Sequence, residues 1–213
     1  MSRLFKASEM ARIACTECSG CGDCCKNMGD TIKVDPYDFW KLSLNLGATF
    51  EELTSKYIGM HVEEGIVTLN MMLSSETNKC VFLNDEDRCS IHKFRPGICR
   101  LFPLGRNYED GKFDYFIVEE ACGGFKKHKI KIDKWLGINN LKDYEKFISV
   151  WHYFIKNLQE YVLNTNDEQG AKILNMLIIK EFYMKPFETN DDNGFYVEFY
   201  YRLEKLKEKL NMN

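Results

Sequence analysis

Cys15-Thr-Glu-Cys18-Ser-Gly-Cys21-Gly-Asp-Cys24-Cys25 is the stretch that decides how this chain folds. A step of three brings successive sulfurs toward one centre as the backbone curls, and Gly20 and Gly22 supply the freedom that the curl needs. Thiolates at this spacing suit tetrahedral zinc and iron–sulfur clusters alike. The stretch therefore signals metal without choosing which. Cys24 and Cys25 are adjacent, and neighbouring side chains of an extended segment point apart. The pair is expected to serve two neighbouring centres, or one centre with a buried bystander.

Further sulfur arrives from Cys80, Cys89, Cys99 and Cys122, which completes the nine cysteines; residues 123–213 contain none. At four ligands per centre, the expected set is Cys18, Cys21, Cys24, Cys25, Cys80, Cys89, Cys99 and Cys122, arranged as two centres with Cys15 left over. Cys89-Ser-Ile-His92 has a C-x2-H spacing that a mixed site can use, although a lone histidine is more often a polar surface or capping residue. His61, His128 and His152 have no cysteine at ligand spacing. In Arg95-Pro-Gly-Ile-Cys99-Arg-Leu-Phe-Pro103, two prolines fix the backbone on either side of a cysteine. Arg95 and Arg100 are expected to neutralise the charge of a thiolate centre and to donate hydrogen bonds to sulfur.

Composition narrows the setting. The chain has 213 residues, 45% of them apolar, and a formal net charge of −3. That is enough apolar material for a packed core, and too little positive charge for a nucleic-acid binder. Lys126-Lys127-His128-Lys129 is a local basic run, read most simply as a solvated surface. The N-terminal residues carry charges where a signal peptide needs an apolar run, and no uncharged stretch is long enough to span a membrane. The expected location is the cytoplasm, where thiols stay reduced. An odd number of cysteines also excludes complete internal pairing, which leaves metal ligation to explain them.

The expected architecture is α+β: a metal-organised, cysteine-rich domain with few short strands over residues 1–125, then a helical extension over 126–213. Thr31–Val34 reads as a strand. Asp35-Pro36 caps and starts a helix that runs to Leu46 and stops at Gly47. Thr49-Phe-Glu-Glu52 is a capping box opening a helix expected to end near Gly59. Ile66–Met72, Cys80–Leu83 and Lys112–Val118 read as strands from their β-branched and aromatic content; Asn84–Asp87 and Glu109–Gly111 read as turns. Between Asn139 and Leu210, three apolar stripes at three- and four-residue steps predict a helical hairpin or a three-helix extension. Lys185-Pro186 ends the second of them.

Taken together, Cys18-x2-Cys21-Gly22-x-Cys24-Cys25, Cys80, Cys89-x-Ile91-His92, Arg95-Pro96-x2-Cys99-Arg100-x-Phe102-Pro103 and Cys122 resemble the YkgJ-type CxxCxxCC family, described as a zinc- or iron-chelating domain. The resemblance covers about residues 15–125; Cys15 is additional to the pattern and the helical tail lies outside it. It implies a metal cofactor. One distantly similar protein, the flagellin lysine N-methylase, transfers methyl groups from S-adenosylmethionine to protein lysines and is associated with an iron–sulfur cluster. That similarity implies S-adenosylmethionine as a further cofactor and a protein as substrate.

Three functions follow as expectations. The first is a metal-cluster protein, with an iron–sulfur centre of the 4Fe-4S type and a redox, electron-transfer or metal-handling role served by a protein redox partner. The second is the S-adenosylmethionine-dependent methylase. Here the residues give mixed support: no G-x-G-x-x-G loop is present, and Met28 stands where the C-x3-C-x2-C spacing begun by Cys21 and Cys25 needs its third cysteine. The third is a zinc-stapled fold that presents its helical tail to a partner.

Overall fold

The aspartate–proline start of the first long helix is realised as the sequence predicts. In the computed structural model, which describes residues 3–15, 22–119 and 127–212, α1 (Pro36–Leu46) carries Pro36 in its first turn. The Asp35 side chain accepts from the Asp38 amide, and Gly47 closes the helix in the left-handed region at φ 61°. The capping box of α2 (Phe50–Lys56) is complete: Thr49 accepts from the Glu52 amide and Glu52 accepts from that of Thr49. The helix ends three residues before Gly59, because Ile58 already opens a strand. That strand, β3 (Ile58–Glu63), pairs with β4 (Ile66–Met71) across Glu64 and Gly65, both at positive φ.

Two short strands precede these, β1 (Leu4–Phe5) and β2 (Met10–Cys15). After β4 come α3 (Gly97–Leu101), β5 (Leu104–Glu109), β6 (Lys112–Ile117), β7 (Lys127–Lys131) and α4 (Ile132–Leu136). An antiparallel sheet is ordered β1-β6-β5, and β2 pairs with β7 as an antiparallel ribbon with a bulge between Arg12 and Ala14. Asp110 and Gly111, at φ 48° and 75°, form the two-residue hairpin between β5 and β6. Thr31–Val34 and Cys80–Leu83 are not strands. The first is a 3-10 turn, Gly29–Thr31, followed by a single bridge from Lys33 to Asn70, and the second makes only isolated bridges.

The C-terminal stripes become three helices: α5 (Leu141–Thr165), α6 (Glu168–Ile179), which runs into a π turn at Lys180–Met184, and α7 (Asp192–Leu210). Arg202 of α7 is 2% exposed. Its guanidinium donates to the carbonyls of Glu181, Lys185 and Pro186 at 2.6, 2.7 and 2.5 Å and pairs with Glu198. One buried cation thus satisfies carbonyls freed where the π turn and Pro186 end the helical ladder.

The chain divides into two compact units: Met1–Ile32 with Met71–Tyr153, and Lys33–Asn70 with Phe154–Asn213. These segments interleave, whereas the sequence reading divides the chain once, near residue 125. The first unit is built on Phe5, Ile13, Leu101, Leu104, Tyr115, Ile132 and Leu136, with Trp135 donating to the Phe102 carbonyl at 3.1 Å. In the second unit, Phe39 packs edge-on against Tyr183, Trp40 stacks on Phe195, and Phe154 and Phe199 flank Phe182. The architecture is mixed α+β with a helical C-terminal part. Among the described residues, no helix is long and apolar enough to cross a membrane.

Candidate metal centre

Three segments of the first unit carry the described thiols. Gly22, at φ 61°, starts a 3-10 turn over Asp23–Cys25, and the Cys25 amide donates back to the Gly22 carbonyl at 2.9 Å. A side chain at Gly22 would also sit 3.2 Å from the Asp87 carbonyl oxygen. Cys80 is stitched to this turn by its own amide, which donates to the Cys25 carbonyl at 2.7 Å. Lys26 bridges Lys79, and both lysines pair with Asp87, which accepts at 2.8 and 3.1 Å. Cys89 bridges Leu83 two residues beyond that aspartate, and Cys99 lies in α3, behind the extended Arg95 and Pro96.

Cys24, Cys25, Cys80, Cys89 and Cys99 are all half-buried free thiols. They sense one another. Cys25 donates a hydrogen bond to Cys24 and, with help from the Arg95 charge and against burial, draws the Cys24 thiol down to about 7. Cys25 itself is pushed far up by that same bond, by burial and by the charges of Cys24, Cys80 and Cys99. Burial raises Cys80 and Cys89 as well, opposed in part by the backbone amides of Phe82 and Ile91, two residues on from each. Amides aimed at sulfur favour the thiolate, the form that ligates metal.

The expectation that Cys24 and Cys25 point apart is corrected here. They lie in a 3-10 turn rather than an extended segment, so their sulfurs meet. The inference of one centre for each loses its geometric ground. Arg95 faces the thiols, acting on both Cys24 and Cys89. Arg100 does not: its guanidinium donates to the carbonyls of Arg95 at 3.2 Å and of Lys93, bracing the turn that presents Arg95. His92 contacts the Arg95 guanidinium through Nε2 and is pushed toward its neutral form by burial and by Arg95 and Arg100. Cys18, Cys21 and Cys122 lie outside the described residues, as does the side chain of Cys15. The sequence reading missed Asp87 as the tie between Lys26 and Lys79.

Among the described residues, no three histidine, cysteine or acidic side chains meet around a single point that would hold a metal ion. The thiols nevertheless share one neighbourhood, with the Arg95 guanidinium acting on Cys24 and Cys89. This is a soft, anion-stabilising donor set, and it fits zinc or an iron–sulfur centre.

Residues 17–123 match a family described as "Putative zinc- or iron-chelating domain", CxxCxxCC. The chain belongs to the CxxCxxCC family. This CxxCxxCC protein is similar to an uncharacterized protein of Methanocaldococcus jannaschii, 32% identical over 145 residues, which cover 61% of this chain and 75% of the relative. A second uncharacterized protein of the same organism is 24% identical over 186 residues, covering 85% of this chain and 58% of that relative. The description of neither relative names a reaction. No solved structure matches. Membership of the CxxCxxCC family makes the cysteine-rich part a zinc- or iron-chelating domain.

Proposed function

We propose that this CxxCxxCC domain holds an iron–sulfur centre of the 4Fe-4S type and serves electron transfer or metal handling for a protein redox partner. Cys24, Cys25, Cys80, Cys89 and Cys99 would supply thiolates, together with Cys18, Cys21 and Cys122 of the same motif set. The observation that carries the reading is the gathering of five half-buried thiols, with the Cys80 amide donating to the Cys25 carbonyl at 2.7 Å and the Arg95 charge acting on Cys24 and Cys89. Hydrogen bonds to sulfur and a nearby cation are the means by which a protein sets the potential of such a centre. Zinc in a closed structural site has no potential to set.

When bound, the cluster supplies a one-electron couple. The chain's own residues hold it, keep its thiolates partly from water, and offset its negative charge through Arg95. Lys26, Lys79 and Asp87 hold the first two ligand segments together. The deciding experiment is anaerobic purification with iron, acid-labile sulfide and zinc quantified per chain. Brown protein with iron and sulfide in equal amounts is the expected result. Colourless protein with stoichiometric zinc would overturn the cluster reading and leave a structural zinc domain.

A further inference from the structure

The basic run noted in the sequence acquires a geometry in the β2–β7 ribbon. Arg12 is the direct cross-strand partner of Lys129, Met10 of Lys131, and Cys15 of Lys127. Side chains alternate along a strand, so Lys127, Lys129 and Lys131 share one face, opposite the face on which Ile130 packs into the core. Arg12 lies on the cationic face by its pairing with Lys129. Arg12, Lys129 and Lys131 are all exposed. The two strands, MARIAC and KHKIK, contain no acidic residue, and no described ion pair involves Arg12, Lys129 or Lys131.

Successive lysines on this face stand about 7 Å apart, inside a Debye length of about 10 Å at 0.1 M salt. Their fields therefore add. Like charges placed directly opposite one another destabilise a sheet, yet Arg12 and Lys129 are so placed. Folding alone gives no reason for that arrangement, whereas an anion lying along the ribbon would. The remainder of the chain is acidic, since the net charge is −3 with these cations included. The strip is thus a local exception to the protein's overall sign. It ends where β2 reaches Cys15 and the chain enters the cysteine motif.

We propose that the Arg12–Lys129–Lys131 face of the β2–β7 ribbon is a docking surface for an acidic segment of a partner protein. None of the described thiols, Cys24, Cys25, Cys80, Cys89 and Cys99, lies on these two strands. A flat, regularly spaced row of cations on an exposed two-stranded ribbon matches carboxylates along an extended peptide, and long-range attraction of this kind guides encounter and register.

The test uses the full chain and a fluorescein-labelled poly-glutamate peptide, read by fluorescence anisotropy at low and at raised salt. The peptide should bind at low salt and weaken as salt rises. The triple variant Arg12→Glu, Lys129→Glu, Lys131→Glu should bind at least about tenfold more weakly, as three exposed charge contacts imply. A control triple of the same net charge, Lys142→Glu, Lys172→Glu, Lys180→Glu, alters exposed lysines elsewhere and should bind as the unaltered protein does. The neutral version, Arg12→Gln, Lys129→Gln, Lys131→Gln, should give an intermediate loss; circular dichroism establishes that each variant folds. Absence of peptide binding by the unaltered protein, or equal losses in the strip and control triples, would overturn the proposal. Tighter binding of duplex DNA than of the peptide, abolished by the strip triple, would also overturn it and assign the surface to nucleic acid.

Discussion

Cys24 is more ready to ionise than Cys25, Cys80 or Cys89, and its readiness has two separable sources. The larger is the hydrogen bond from Cys25, and the smaller is the Arg95 charge. In metal-free, reduced protein, Cys24 thiolate should therefore predominate above about pH 7. Iodoacetamide labelling followed by peptide mass spectrometry should find Cys24 alkylated at neutral pH ahead of Cys25, Cys80 and Cys89, which follow only at higher pH. Cys25→Ala removes the donor and should move the onset of Cys24 labelling upward, toward an ordinary thiol near 8.5. Arg95→Gln should move it in the same direction by less. A Cys24 onset unaffected by either change would mean that neither group acts on it. Arg95 also divides the two flanking arginines by role, because Arg100 spends its donors on the backbone carbonyls of Lys93 and Arg95.

At the scale of elements, the ligand turns are held by a few local devices that can each be removed. Gly22→Ala places a side chain at φ 61° and against the Asp87 carbonyl, at an expected cost of about 1–2 kcal/mol. Metal content per chain should fall with it; full retention would show that the turn adapts freely. Hydrogen bonds from Lys26 and Lys79 hold the Asp87 carboxyl below its ordinary value. A carboxylate lowered on folding contributes stability above its unfolded pKa and loses it as pH falls through the folded one. In metal-free protein, the unaltered chain should be more stable than Asp87→Asn above the ordinary aspartate range, and the difference should vanish in acid. Urea unfolding at several pH values measures this. Elements set by neighbours in sequence were readable in advance, as α1 and the capping box of α2 show. Those set by distant partners were not. Cys80–Leu83 has β-branched and aromatic content but no long partner strand, while β7 is a strand only because Met10–Cys15 pairs with it despite a run of lysines. The Cys24–Cys25 contact was hidden for the same reason. Adjacent residues diverge in a strand, and the sequence does not announce a 3-10 turn.

Over the whole molecule, the cysteines and the long helices answer to different forces. In the first unit, the pairs of Asp87 with Lys26 and Lys79 and the Cys80 amide tie the thiol-bearing turns together; in the second, aromatic packing and one buried arginine hold the helices. Arg202→Leu strips three carbonyls of their donor and should cost about 3 kcal/mol or more by urea unfolding, while metal content per folded chain stays unchanged. Metal removal by a chelator should act in the opposite place. Hydrogen exchange should rise within residues 71–119 well before it rises within residues 170–210, since bound metal lends its binding energy to the fold that ligates it. The chain's route adds a matter of timing. Residues 33–70 form an excursion closed at its base, where the Met71 amide reaches the Ile32 carbonyl at 2.9 Å and Cys80 then meets Cys25. On a ribosome adding 5–20 residues per second, Cys99 follows Cys25 by roughly 4–15 s. Throughout that interval the early sulfurs wait with their later companions still unmade, so a centre that draws on all three segments is completed only once Cys99 has been added.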